Sequence, residues 1–182
     1  MIFAFVLKAD PRMAENLELK VPLRSLSEAA RICKRLGATD KGNLIQRDTY
    51  FDVPVGRLKV REIKGSPAEL ISYRRENRKG KRYSAYEVIP IRQAAPAIRG
   101  LRYLFKVRCV VEKVRRLYLL RNARIHLDSV KGLGSFLEFE VVVTNGKSQA
   151  QQLMAELCRA FGVDTRKTIA GSYEDLLARR KK

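Results

Sequence analysis

The chain has 182 residues, enough for one domain with a sizeable core and too few for two ordinary ones. Hydrophobic residues make up 46% and charged residues 31%, which excludes global disorder, and no apolar run approaches the roughly 18 residues of a membrane-spanning helix. Lys and Arg number 38 against 19 Asp and Glu, and the resulting charge of +19 points to polyanionic partners: nucleotides, polyphosphate, nucleic acid or anionic lipid.

The apolar stretch Met1 to Lys8 lacks the basic start and small-residue cleavage site of a secretory signal. Met13 precedes the first well-patterned segment. Residues 1–12 therefore read either as an upstream stretch before a start at Met13 or as a peripheral extension. Residues 15–23 alternate as a strand. Ser25 then opens a helix: Ser25 and Glu28 have capping-box spacing, Leu26, Ala29, Ala30, Cys33 and Leu36 share a face, and Gly37 ends it. Four strand-like pieces follow at about 45–52, 57–63, 68–76 and 83–91, the last two separated by a charged turn over 77–82. A short helix over 95–106 leads to strands at about 107–120, 123–130 and 136–143. A helix from Ser148 to Phe161 presents Leu153, Met154, Leu157 and Phe161. A last helix covers about 171–179, and residues 179–182 form a basic tail. Eight strands, mostly in hairpin connection, give an α+β chain: an eight-stranded antiparallel β-barrel with helices packed on the outside, one domain over residues 13–178.

Cys33, Cys109 and Cys158 are odd in number, widely spaced and set among apolar residues. They fit neither a disulfide framework nor a zinc pattern and read as core residues of a protein in a reducing, cytoplasmic compartment. The single histidine, His126, argues against a His-rich metal site and reads as a hydrogen-bonded structural residue.

Strand residues alternate between faces, and charges cluster on one face of several strands. Leu17, Leu19 and Val21 oppose Asn16, Glu18 and Lys20. Leu58 and Val60 oppose Arg57, Lys59 and Arg61. Lys113 and Arg115 share a face, as do Arg124, His126 and Asp128, and so do Glu138 and Glu140. An ordinary antiparallel sheet would turn such a face to water. Here charges of both signs recur on many strands, and the apolar faces suit the undersides of amphipathic helices. A barrel with its apolar face outward would line a tunnel with these charges, which a polyanion and a metal would compensate. Glu18, Glu138 and Glu140 are hard oxygen donors suited to Mg²⁺ or Mn²⁺, and Lys20, Lys59, Arg61, Lys113 and Arg115 could clamp phosphate oxygens.

These residues resemble a known family, the CYTH-domain proteins or triphosphate tunnel metalloenzymes, which include class IV adenylyl cyclases, thiamine triphosphatases and inorganic triphosphatases. The family's Glu-x-Glu-x-Lys hallmark stands here as Asn16, Glu18 and Lys20. Further matching stretches are DTYFDVPVGRLKVRE (48–62), AELISYRRE (68–76), VEKVRRLYL (111–119), RIHLDSVKGLGSFLEFEV (124–141) and GSYEDLL (171–177). The likeness spans residues 13 to 178 and lies closest to the class IV adenylyl cyclase branch. It implies a β-tunnel that binds a triphosphate with Mg²⁺ or Mn²⁺. Glu18, Glu138 and Glu140 would be metal ligands. Lys20, Lys59, Arg61, Arg75, Lys113, Arg115 and Arg124 would hold the triphosphate, and Glu18, Lys20 and Asp128 would be catalytic. Arg74 rivals Arg75, because face parity over 68–76 is ambiguous.

Two reactions share such a clamp: cyclisation of ATP to cyclic AMP and pyrophosphate, and hydrolysis of ATP, tripolyphosphate or thiamine triphosphate. Asn16 replaces the hallmark's first glutamate, which removes one charge from the metal site and puts a two-metal mechanism in doubt. The alternative is a non-catalytic binder of polyphosphate, nucleotide or RNA with a degenerate metal site. Tyr173 reads as packing for the last helix. The tunnel residues leave most of the +19 outside, on a surface open to nucleic acid or polyphosphate; no membrane contact is expected.

Overall fold

Alternating strands need something apolar to cover one face, and two amphipathic helices here do so from outside. The computed structural model of the protein describes residues 14–75 and 79–180. The strands are β1 (Ala14–Pro22), β2 (Thr39–Phe51), β3 (Arg57–Ile63), β4 (Ala68–Arg75), β5 (Arg82–Ile91), β6 (Val107–Leu120), β7 (Ala123–Val130) and β8 (Gly134–Val142). The helices are α1 (Leu26–Arg35), α2 (Ala94–Leu104), α3 (Lys147–Ala160) and α4 (Tyr173–Arg180). The strands close into an antiparallel barrel in the order β1-β5-β4-β3-β2-β6-β7-β8. A closed barrel has no unpaired edge.

The main core lies outside the barrel. Leu17 and Leu19 of β1, Ile125 and Leu127 of β7, and Leu137, Phe139 and Val141 of β8 pack against Ala29 and Cys33 of α1 and Ala150, Leu153, Met154 and Leu157 of α3. Each such side chain, fully buried, contributes about 1.5–3 kcal/mol, so this layer fixes the inside-out parity of the barrel. Ser25 caps α1 as its spacing predicts, its Oγ accepting from Glu28 N at 3.2 Å. A second apolar group, Tyr50, Val111, Val130, Phe136 and Tyr173, seals one end where α4 docks.

Two of the boundaries that differ from the sequence reading bear on the barrel interior and its pairing. β2 starts at Thr39, six residues before the expected 45, because its polar first half pairs with the long β6, and a register shift between Asp40 and Asn43 accommodates Gly42 at φ +81°. β5 starts at Arg82, inside the stretch read as a charged turn, because Arg82 pairs across from Glu18 and its side chain goes inward. Arg179 and Arg180 stand on α4 rather than in a tail. Residues 1–12 and the last two lysines lie outside the described residues. No helix among the described residues is long and apolar enough to cross a membrane.

Candidate active site

Because side chains alternate, closure of the barrel sends one face of every strand into a common cavity of about 310 Å³, within the range of small-molecule sites. It is lined by Asn16, Glu18 and Lys20 from β1, Lys59 and Arg61 from β3, Arg75 from β4, Lys113 and Arg115 from β6, Arg124 and His126 from β7, and Glu138 and Glu140 from β8. Asp128 does not reach the cavity surface; it lies buried behind Arg115. Arg75, not the exposed Arg74, turns inward. The other candidate site residues from the sequence line this one cavity, and Asp128 stands behind it.

The cations and carboxylates interlock. Arg115 donates to Asp128 through Nε (2.7 Å) and Nη2 (2.6 Å), and Nη2 also reaches Glu138 at 3.0 Å. Lys20 lies 3.0 Å from Glu138. Glu18 accepts from Arg75 at 2.9 Å, and Arg124 Nε donates to Glu140 at 3.0 Å. Burial lifts the Glu138 carboxyl, but Lys20, His126 and Arg115 more than reverse this and hold it well below the usual range. Glu18 goes the other way: burial raises it, and the neighbouring Glu140 adds to the rise against Arg75.

Several functional candidates escaped the sequence reading. Asp48 of β2, 0% exposed, sits beneath the basic wall and takes Lys59 Nζ (3.2 Å), Arg61 Nε (3.2 Å) and Gln46 Nε2 (2.8 Å), with Lys113 Nζ at 3.5 Å. It belongs to the DTYFD stretch, and its parity with Gln46 and Tyr50 was the signal available. Arg82, also 0% exposed, donates to Ile169 O at 2.6 Å and lies 3.8 Å from Glu18. Tyr173 does more than pack: its hydroxyl donates to Asp128 at 2.8 Å, and Lys20 Nζ stands 3.8 Å from its ring centroid. His126 shares the cavity wall: its Nε2 lies 3.5 Å from Arg115 Nη1, a hydrogen bond of the kind expected, and its other ring nitrogen is Nδ1. That nitrogen is buried without a hydrogen-bond partner, 3.6 Å from Glu138 Oε2 and 3.7 Å from Glu140 Oε1.

Those last distances test whether a divalent cation fits. Two donors bound to one ion at about 2.1 Å lie roughly 3–4 Å apart. His126, Glu138 and Glu140 each offer a ligand atom, all within 4.8 Å of one another, and an unpartnered nitrogen faces two carboxylates. The residues fit. Glu18 is engaged by Arg75 beside this group, and the Asn16 Oδ1, also buried and unpartnered, is a further oxygen donor on the same strand.

The sequence matches the CYTH domain family over residues 14–173. The chain belongs to the CYTH domain family. Among solved structures the CYTH chain resembles the PH1012 protein of Pyrococcus horikoshii OT3, with 25% identity and a TM-score of 0.80, covering 88% of this chain and 98% of the other. A conserved hypothetical protein of Pyrococcus furiosus gives 20% identity and a TM-score of 0.78, covering 88% of this chain and 99% of the other. A provisionally assigned adenylate cyclase of Vibrio parahaemolyticus gives 21% identity and a TM-score of 0.75, covering 91% and 98%. The latter two likenesses concern the fold. No curated protein matches the sequence.

Proposed function

We propose that this CYTH tunnel binds an organic triphosphate and turns it over with Mg²⁺ or Mn²⁺, cyclisation of ATP to cyclic AMP and pyrophosphate being the reaction best supported. One observation carries the reading: Lys59, Arg61, Lys113 and Arg115 line the same cavity as the cluster of Glu138, Glu140 and His126. A triphosphate needs cations along its length and a divalent ion to bridge its oxygens. The end opposite α4 presents Leu44, Ile63, Val88 and Leu117. These apolar side chains, beside Glu69, Tyr86 and Arg124, favour a substrate with an organic group over inorganic tripolyphosphate.

In cyclisation the ribose 3′-oxygen attacks the α-phosphorus, and the bond from that phosphorus to the bridging oxygen of pyrophosphate breaks. Glu138, Glu140 and His126, with Glu18 and Asn16 alongside, would hold the cation, whose contribution would be positive charge to offset the phosphates. Lys20 and Arg75 supply charge from the β1–β4 side, Arg124 stands at the open end, and Asp128 aims Arg115 through two hydrogen bonds. Glu18, which faces the same cavity, is the carboxylate assigned to accept the 3′-hydroxyl proton.

Product analysis tests this. Purified protein with Mg²⁺ or Mn²⁺ and ATP should yield cyclic AMP and pyrophosphate, and Glu138→Ala should abolish turnover and stoichiometric Mn²⁺ binding by calorimetry. Orthophosphate with a diphosphate product, from ATP, tripolyphosphate or thiamine triphosphate, would make the same clamp a hydrolase. Binding that survives EDTA without turnover would replace the enzyme by a polyanion-binding protein.

A further inference from the structure

The tunnel does not account for the charge of the chain. Its wall and backing hold eight cationic side chains and six carboxylates among the described residues, a surplus of two against +19 overall. The longest stretch free of Asp and Glu is residues 88–111, which contains Arg92, Arg99, Arg102, Lys106 and Arg108. Of these, only Arg108 has an ion-pair partner among the described residues, Glu174 at 2.9 Å and Asp175 at 3.5 Å.

Helix α2 occupies the middle of that segment. Ala94, Ala97, Ile98 and Leu101 recur at helical spacing and are half-buried on the barrel side. The opposite side carries Arg99 and Tyr103, one turn apart, with Arg102 beside them; Tyr103 is 91% exposed and Leu104 74%. An aromatic ring this open to water, set among guanidinium groups that face no carboxylate, has no structural purpose visible in the fold.

We propose that the outer face of α2 binds single-stranded nucleic acid, with Arg99 and Arg102 on phosphates and Tyr103 stacked on a base. An exposed aromatic ring among cations is the combination by which single strands are held without base readout. An anionic bilayer fits less well. The apolar stripe of α2 faces the barrel, leaving only Tyr103 and Leu104 where an interfacial helix needs a whole apolar face. The surface lies outside the tunnel, so it acts independently of the tunnel's substrate.

The test is fluorescence anisotropy with a 3′-labelled oligouridylate bearing a 5′-hydroxyl, in saturating tripolyphosphate so that the tunnel is blocked. Tyr103→Ala, which changes no charge, should weaken binding about tenfold. Arg99→Gln with Arg102→Gln should weaken it further and lower the log–log salt slope by about one to two. Arg31→Gln with Lys34→Gln on α1 removes the same charge elsewhere and should cost less than about threefold. Equal losses from both double variants with Tyr103→Ala unchanged would overturn the proposal in favour of diffuse charge. Binding of phosphatidylserine vesicles that Tyr103→Ala abolishes, with oligouridylate unaffected, would overturn it in favour of a membrane. Oligonucleotide displaced by tripolyphosphate would place the contact in the tunnel and also overturn it, while leaving the triphosphate reading intact.

Discussion

A buried carboxylate outside the cavity lining organises the basic wall. Asp48 holds Lys59, Arg61 and Lys113 in a fan from below. Burial alone would raise its pKa, but the three cations together drive it far down. In return Asp48 favours the charged form of the lysines: burial, with Arg61, lowers Lys59 to about 7, and burial, with Arg115, lowers Lys113 to about 8, against the pull of Asp48 in both cases. Between those values and about 10.4 the unfolded chain binds more protons than the folded one, so both lysines make stability rise with pH. Triphosphate affinity should move oppositely and fall as pH rises through about 7 to 8. Calorimetry near pH 8 in buffers of different ionisation enthalpy should detect net proton uptake on tripolyphosphate binding; zero uptake would mean the lysines stay charged throughout. Asp48→Asn should lower stability by about 3–5 kcal/mol near pH 6, where the cations lose their counter-ion. The loss should shrink at higher pH as the lysines discharge, and tripolyphosphate affinity near pH 8 should drop about tenfold or more. Urea melts at two pH values decide the first point, and a pH series of dissociation constants the second. In the sequence only parity with Gln46 and Tyr50 pointed to Asp48, a weak signal because these residues alternate with Arg47 and Thr49 and leave β2 polar on both faces.

At the level of elements, the sequence was most legible where apolar and charged residues alternate cleanly. The bounds expected for β3, β6 and β7 are those observed, and the inward faces of β1, β7 and β8 follow from parity alone. It was least legible where a partner strand, not local pattern, decides pairing, as in the first half of β2 and at Arg82. α4 is the other case: GSYEDLL reads as a short terminal helix, and nothing local says that it plugs a barrel. Arg57 ties it down through Ser172 Oγ at 2.6 Å and Asp175 at 2.8 Å, while Tyr173 packs on Phe136 with ring centroids 5.0 Å apart. Tyr173→Phe removes one hydrogen bond to a charged acceptor that Arg115 still satisfies, so it should cost about 1–3 kcal/mol. Tyr173→Ala also leaves a cavity, and about 3–5 kcal/mol is expected from urea unfolding. Equal midpoints for wild type and Tyr173→Ala would mean that α4 contributes nothing to closing the barrel.

Across the whole molecule, charge is sorted into two regimes. The tunnel is nearly balanced by interlocked buried pairs, which leaves +17 for the rest of the chain. Buried pairs are screened little by salt, whereas repulsion among exposed cations is screened strongly. Exposed pairs such as Arg116–Asp40 at 2.6 Å exist, but contacts of that kind are each worth only about 0–1 kcal/mol. The long-range repulsion therefore dominates the salt response of folding. Raising ionic strength from about 0.01 M to about 0.1 M shortens the Debye length from about 30 Å to about 10 Å, less than the span of the barrel with its helices. The melting temperature should rise over that interval while tripolyphosphate affinity falls, because the same ions screen the attraction of the anion to the cationic chain. A melting temperature that fell with salt would show that exposed ion pairs outweigh the net repulsion. A rising melting temperature with salt-independent affinity would confine the phosphate contacts to the buried, unscreened wall of Lys59, Arg61, Lys113 and Arg115.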